Sequence, residues 1–301
     1  MLKKFFKKII FYNKLKKIYF YLLIFYFSFK KNYYDKNNQP VFLISTNRSG
    51  SSLIASIIRQ HPKLRSLSDK VLKTEMKKKD SHTIGFAEDF IWNFLDDYDN
   101  DHFEGKREGF IWSDPKHVSD FYRDDFWAKK ALIYEIYKIK SDKIPFVKHS
   151  FFTLRLKLIK KIFPKAKIIL NIRSYKDFID SNLHKWSVDR RYSKIFKENN
   201  PDIGLHWYIL NSIALYHLEK YFKDQYHIFF HEQLYDPEFD NQTLMNELTD
   251  FLNLEKFTFS FANVNPEHKY NKKITFEYNK PDYASMIGSY EKKIYDEIKK
   301  K

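Results

Sequence analysis

Cysteine is absent from the 301 residues, which excludes disulfides and thiolate metal sites and fits a reducing compartment. Glycine (6) and proline (9) are scarce, leaving little room for long disordered linkers. Arginine occurs only nine times, so an Arg at a loop or strand end says more here than any Lys. The N-terminal apolar run, Ile18 to Phe29, would span roughly 18 Å as a helix, short of the ~30 Å hydrocarbon core. No small-residue cleavage site follows it, which argues against a cleaved signal peptide. The histidines are scattered without metal-ligand spacing, so no metal is expected.

What is present permits a sizeable core. Hydrophobic residues make up 43% of the chain, and the length suits one large domain or two small ones. The net charge is +16, with a pI near 9.5. Such an excess points to an anionic partner: nucleotide, acidic lipid, acidic polymer or nucleic acid. Drift in an AT-rich genome is the other source of it, since Lys, Asn, Ile, Phe and Tyr are abundant while Arg and Gly are few. In residues 1–39, Lys3, Lys4, Lys7, Lys8, Lys14, Lys16 and Lys17 precede the apolar run, and Lys30 and Lys31 follow it. This segment reads as a peripheral helix at an anionic membrane surface, a helix packed on the domain, or a frayed tail. The expected location is cytoplasmic, on the inner membrane face if the helix binds lipid; a short signal-anchored protein is the alternative.

Residues 40–301 read as one domain. Val41 to Thr46, Pro145 to Lys148, Lys167 to Ile172 and Tyr226 to Phe230 have the composition of strands. Leu53 to Gln60, Val71 to Lys79, Ile84 to Tyr98, Ser119 to Lys140, Leu154 to Phe163, Tyr175 to Trp186, Ile203 to Phe222 and Leu244 to Leu252 read as helices. Strands alternating with helices predict an α/β fold with a central parallel sheet, whose ligands sit at the carboxyl ends of the strands.

Two such ends carry chemistry. After the first strand come Arg48, Ser49, Gly50, Ser51 and Ser52, then an apolar-periodic helix. A strand, tight loop and helix aim backbone N–H groups at an anion. The loop lacks the Lys-Ser/Thr ending of the G-x-x-x-x-G-K-[ST] phosphate loop of ATPases. After Lys167 to Ile172 comes Arg173, with Ser181 about two turns into the next helix. Arginine suits forked binding of a phosphate; an ion pair with Asp177 is its alternative. Two anion elements suit a nucleotide phosphorylated at both ends.

Here the sequence resembles the sulfotransferase family, whose donor is 3′-phosphoadenosine 5′-phosphosulfate (PAPS). Arg48-Ser49-Gly50-Ser51-Ser52, with His61-Pro62 after the helix, is similar to the family's 5′-phosphosulfate loop. Phe163 through Arg173 to Ser181 is similar to its 3′-phosphate element, with Arg173-Ser174-Tyr175 in place of the usual Arg-Asp-Pro. His231-Glu232-Gln233-Leu234 resembles the Tyr-Glu-x-Leu segment, and Ile287-Gly288-Ser289-Tyr290 a late element near the donor. The resemblance covers roughly residues 40 to 292 and implies a P-loop NTPase-like α/β fold. By it, Arg48, Ser49, Gly50, Ser51 and Ser52 bind the 5′ end of the donor, Arg173 and Ser181 the 3′-phosphate, and Gly288 lies near the nucleotide. Lys148, at the end of the middle strand, matches the Lys that contacts the bridging oxygen; a solvated strand-end Lys is the bland alternative. The general base is Asp69, a carboxylate shortly after His61-Pro62, or His149, with Glu75 an outsider and helix capping the alternative role of Asp69.

The implied reaction is in-line transfer of a sulfuryl group to a hydroxyl of a carbohydrate, lipid-linked or small-molecule acceptor, leaving adenosine 3′,5′-bisphosphate (PAP). Nucleic acid is not an expected partner. A P-loop-type kinase using ATP competes with this reading, against the missing Lys; so does a non-catalytic basic membrane- or polymer-binding protein. The acceptor is not legible. Trp92, Trp112 and Trp127 lie among many aromatics that would stack on sugar rings or fill a core.

Overall fold

The computed structural model describes residues 39–46, 48–66, 132–133, 136–137, 141–148, 152–153, 156–188, 203–262 and 264, with Leu22 and Tyr26. Within them lie strands β1 (Val41–Ser45), β2 (Leu64–Ser66), β3 (Ile144–Lys148), β4 (Lys167–Ile172) and β5 (Tyr226–Phe230). The helices are α1 (Ser51–Ile58), α2 (Leu156–Ile162), α3 (Tyr175–Val188), α4 (Ile203–Tyr221) and α5 (Asn241–Leu252), with a 3₁₀ turn at His231–Leu234. All strand pairs are parallel, in the order β2-β3-β1-β4-β5. The α/β class with a central parallel sheet is therefore the observed one.

Every residue of β1 is buried, as a central parallel strand covered on both faces requires. On one face Phe42, Ile44, Ile168, Leu170 and Ile172 meet α2, α3 and α4 through Leu156, Ile159, Phe178, Trp207 and Leu218. On the other, Val41, Leu43, Phe146, Ile169 and Phe229 meet α1 and α5 through Ile54, Ile58, Met245 and Leu248. The result is a three-layer α/β/α unit.

Two helices begin where a side chain replaces missing backbone partners. Ser174 caps α3, its Oγ accepting the Asp177 N–H at 3.3 Å. The departure from Arg-Asp-Pro therefore keeps a side-chain cap. Asp240 caps α5 by accepting from Thr243 N at 2.8 Å, so that helix starts at Asn241 rather than Leu244. Beyond α5, Gln242 and Gln60 each lend a side-chain amide to the backbone of Phe257–Ser260.

β2 has no counterpart in the strands read from the sequence. It is three residues long and holds a buried Arg65, whose Nη2 donates to the Ile136 carbonyl at 2.7 Å. Leu132, Ile133, Ile136 and Tyr137 are helical, inside the expected Ser119–Lys140 helix. The expected helices Val71–Lys79 and Ile84–Tyr98 lie outside the described residues. Leu22 and Tyr26 are helical and each 60% exposed. Among the described residues, no helix is long and apolar enough to cross a membrane.

The topology singles out one crevice. The chain leaves β1 toward β2 on one side of the sheet and leaves β4 toward β5 on the other. β1 and β4 are neighbours, so their carboxyl ends flank a topological switch point, where ligands of open α/β sheets bind.

Candidate functional site

Both sequence elements singled out for anion binding lie at that switch point. The loop after β1 turns through two left-handed residues, Arg48 (φ 66°) and Gly50 (φ 74°). The hydroxyls of Thr46 and Ser49 are hydrogen bonded across it. Ser49 is fully buried, and its carbonyl accepts from Asn171 Nδ2 of β4 at 2.5 Å. The Gly50 carbonyl opens α1 by accepting from Leu53 N at 3.0 Å.

α1 has no side-chain cap and no acidic residue in its first turn. Its leading N–H groups and the positive end of its dipole are thus uncompensated by α1's own side chains. Gly50 is required twice over. Its φ is strained for any L residue, and a Cβ there would lie 2.2 Å from Cε1 of His231. The His231 ring, on the turn after β5, forms the floor beneath the loop. Burial, then the charge of Arg173, lowers its pKa to about 3, so the ring is neutral at physiological pH.

Arg173 follows the last residue of β4 and is buried. It is joined to the loop directly, Nη1 donating to the Arg48 carbonyl at 2.9 Å. The peptide that follows Arg173 is held on both sides. Trp207 Nε1 of α4 donates to the Arg173 carbonyl at 2.9 Å, and Ser174 N donates to Glu232 Oε1 at 3.0 Å. Burial raises the Glu232 pKa to about 7; the Ser174 N–H and its own backbone N–H oppose this, Asp177 adds to it and Arg173 opposes it. Asp180 in α3 is also raised, by burial and then by Asp177, with Lys176 and Arg173 opposing. Ser181 is buried, and its Oγ has no hydrogen-bond partner among the described residues.

Lys148 is the last residue of β3 and pairs in register with Leu43. Alternation puts it on the face of Phe146, the one covered by α1. Of the residues picked out from the sequence, Arg48, Ser49, Gly50, Ser51, Ser52 and Arg173 form one connected unit, and Ser181 and Lys148 stand on adjoining elements. Asp69, His149, Glu75 and Gly288 lie outside the described residues.

His61 has a structural place. Its Nδ1 accepts from Lys63 N at 3.2 Å, so Nε2 carries the proton donated to the Glu255 carbonyl at 2.9 Å. The residues that sequence reasoning passed over are Asn171, Trp207, His231 and Glu232. Asn171 carried a readable signal, a lone amide inside an apolar strand. His231 and Glu232 stood in a motif without a role attached, and Trp207 lay unremarked in the expected helix Ile203–Phe222. Among the described residues, no three His, Asp or Glu side chains group closely enough to hold a metal ion.

The sequence profile of the sulfotransferase family matches residues 40–258. Among solved structures, the chain is similar to the sulfotransferase STF1 from Mycobacterium tuberculosis H37Rv, with 12% identity over 76% of this chain and 74% of that one and a TM-score of 0.50. The sulfotransferase STF9 from Mycobacterium avium shares 15% identity over 73% of this chain and 65% of that one, with a TM-score of 0.46. For the sulfotransferase domain from the curacin biosynthetic pathway the values are 15%, 73%, 75% and 0.43. No curated protein matches the chain. The α/β fold around a parallel sheet is shared with STF1.

Proposed function

This chain belongs to the sulfotransferase family, and on that premise we propose that it transfers the sulfuryl group of PAPS to a hydroxyl acceptor. The observation that carries the donor assignment is the bond from Arg173 Nη1 to the Arg48 carbonyl. It makes the two anion elements a single unit at the switch point, as a nucleotide phosphorylated at both ends would require.

The residues present fit that donor. Gly50 leaves room for close backbone approach, and the uncapped start of α1 offers N–H groups to a sulfated phosphate. Ser181 offers a buried hydroxyl with no partner among the described residues for a 3′-phosphate, and Arg173 stands just before the start of the same helix. An unsatisfied buried hydroxyl costs stability unless a ligand completes it.

The backbone of residues 49–52, Ser51, Ser52 and Arg48 would orient the 5′ end and stabilise charge on the departing phosphate. Arg173 and Ser181 would hold the 3′ end, and Gly288 would lie near the nucleotide. Lys148 would meet the bridging oxygen, where negative charge grows as the S–O bond breaks. The acceptor oxygen forms the new bond to sulfur, its proton passing to Asp69 or His149, and PAP leaves with the electron pair. Such chemistry depends on positioning and electrostatics more than on covalent catalysis.

Residues 40–301 would form the catalytic domain, in a cytoplasmic protein. Residues 1–39 would lie on an anionic membrane surface; the exposed Leu22 and Tyr26, one helical turn apart and flanked in sequence by lysines, support this placement. A carbohydrate or lipid-linked acceptor suits it.

Titration calorimetry with PAP and with ATP is the test. PAP should bind in the micromolar range and ATP weakly, with or without Mg²⁺. Tighter, Mg²⁺-dependent ATP binding would replace the donor assignment with a kinase reading, and binding of neither would leave a non-catalytic basic protein.

A further inference from the structure

The peptide that joins Arg173 to Ser174 is gripped from two sides by elements that follow it in sequence. Its carbonyl accepts from the indole of Trp207, and its N–H donates to Oε1 of Glu232. These groups share one rigid plane, so fixing both fixes the plane and, with Ile172 before it held in the strand ladder, the direction in which Arg173 leaves the backbone. The sheet explains why Glu232 is there. Ile172 pairs in register with Phe230, and two residues on from each, Ser174 and Glu232 come side by side. The strand ladder ends and a side-chain bond carries it one step further. The other carboxyl oxygen, Oε2, is buried with no hydrogen-bond partner among the described residues. The described charged groups that face this carboxyl are Arg173 at the end of β4 and Asp177 in α3.

We propose that Glu232 is a positioning residue of the donor site: it aims Arg173 at the donor's 3′-phosphate by holding the Arg173–Ser174 peptide against Trp207. The inference rests on the donor reading above. A carboxyl so placed also exchanges a proton when a phosphate docks beside Arg173. The phosphate claims the cation that had opposed protonation of Glu232, and its own negative charge favours the neutral acid. The carboxylic acid keeps a carbonyl oxygen for the Ser174 N–H, so the peptide remains held in either state.

Calorimetry on the full chain tests this with PAP and with AMP, which lacks the 3′-phosphate, in buffers of different ionisation enthalpy near pH 7. Glu232→Ala should weaken PAP about tenfold or more, the loss associated with a hydrogen bond to a charged group, and leave AMP within about twofold. Glu232→Gln keeps the acceptor and should restore PAP affinity to within about threefold. The wild type should take up a fraction of a proton on binding PAP, and the Gln variant measurably less. Equal losses for PAP and AMP in the Ala variant, or the same proton uptake in wild type and Gln variant, would overturn the proposal. Should the Ala variant fail to fold, the Gln variant's proton balance and the PAP-to-AMP ratio of Trp207→Phe, which removes the opposing donor, decide it. A wild type that does not distinguish PAP from AMP refutes the donor reading instead.

Discussion

Gly50→Ala isolates the geometry of the loop after β1. Two costs add. A Cβ at φ 74° is left-handed, which costs roughly 1–2 kcal/mol for an L residue. The same Cβ would lie 2.2, 2.5 and 2.6 Å from Cε1, Nδ1 and Nε2 of His231, far inside contact distance. That ring is buried and packs edge-on against Tyr235, with centroids 5.4 Å apart. It cannot step aside without disturbing the turn after β5, an overpacking of about 1–3 kcal/mol. The total is about 2–5 kcal/mol, read as a lowered midpoint at unchanged slope in urea unfolding. The double variant Gly50→Ala/His231→Ala should recover the overlap cost and keep the backbone cost, giving a coupling of about 1–3 kcal/mol. A Gly50→Ala protein within about 0.5 kcal/mol of wild type, or strictly additive single variants, would refute this reasoning.

Three further outcomes are expected. Glu232 has a folded pKa raised to about 7, so its contribution to stability is fully present below its ordinary value of 4.5 and is lost as pH rises through 7; His231, lowered to about 3, contributes above its ordinary 6.5 and loses that as pH falls toward 3. The two slopes oppose each other between pH 4.5 and 6.5, so the difference wild type minus Glu232→Gln is the quantity to measure: it should fall by on the order of 3 kcal/mol from pH 4.5 to 7 in denaturant titrations, and a flat difference contradicts the buried carboxyl. Arg173→Ala should weaken PAP far more than adenosine 5′-phosphosulfate in direct binding assays, equal losses being inconsistent with a 3′ role. Lys148→Ala should lower kcat by about 10²-fold or more with donor affinity nearly unchanged in steady-state kinetics and calorimetry, as for a group acting on developing charge.

The parallel sheet was legible because buried central strands are written as unbroken apolar runs. Val41–Ser45, Ile144–Lys148, Lys167–Ile172 and Tyr226–Phe230 each match an expected strand to within a residue. β2 was not legible: Leu64–Ser66 is too short for a period, and the buried Arg65 is met by the distant Ile136 carbonyl, which accepts its hydrogen bond. The start of α5 was readable in principle, through the cap that Asp240 offers Thr243. The two anion elements announced themselves locally, by a serine-rich loop and a strand-end arginine. What joins them did not. Asn171, Trp207 and Glu232 each bond a backbone group 34 to 122 residues away in the chain, and Arg173 reaches the Arg48 carbonyl across 125 residues. Such bonds have no local pattern, because the fold alone brings their ends together.

The central claim is that one unit grips a nucleotide by two phosphates, and a crystal structure of the full chain with PAP bound tests it most directly. The account predicts the 5′-phosphate over the start of α1, against the backbone of residues 49–52, and the 3′-phosphate against Arg173 and Ser181. A nucleotide bound in the reverse direction, or one whose 3′-phosphate contacts neither Arg173 nor Ser181, would contradict it.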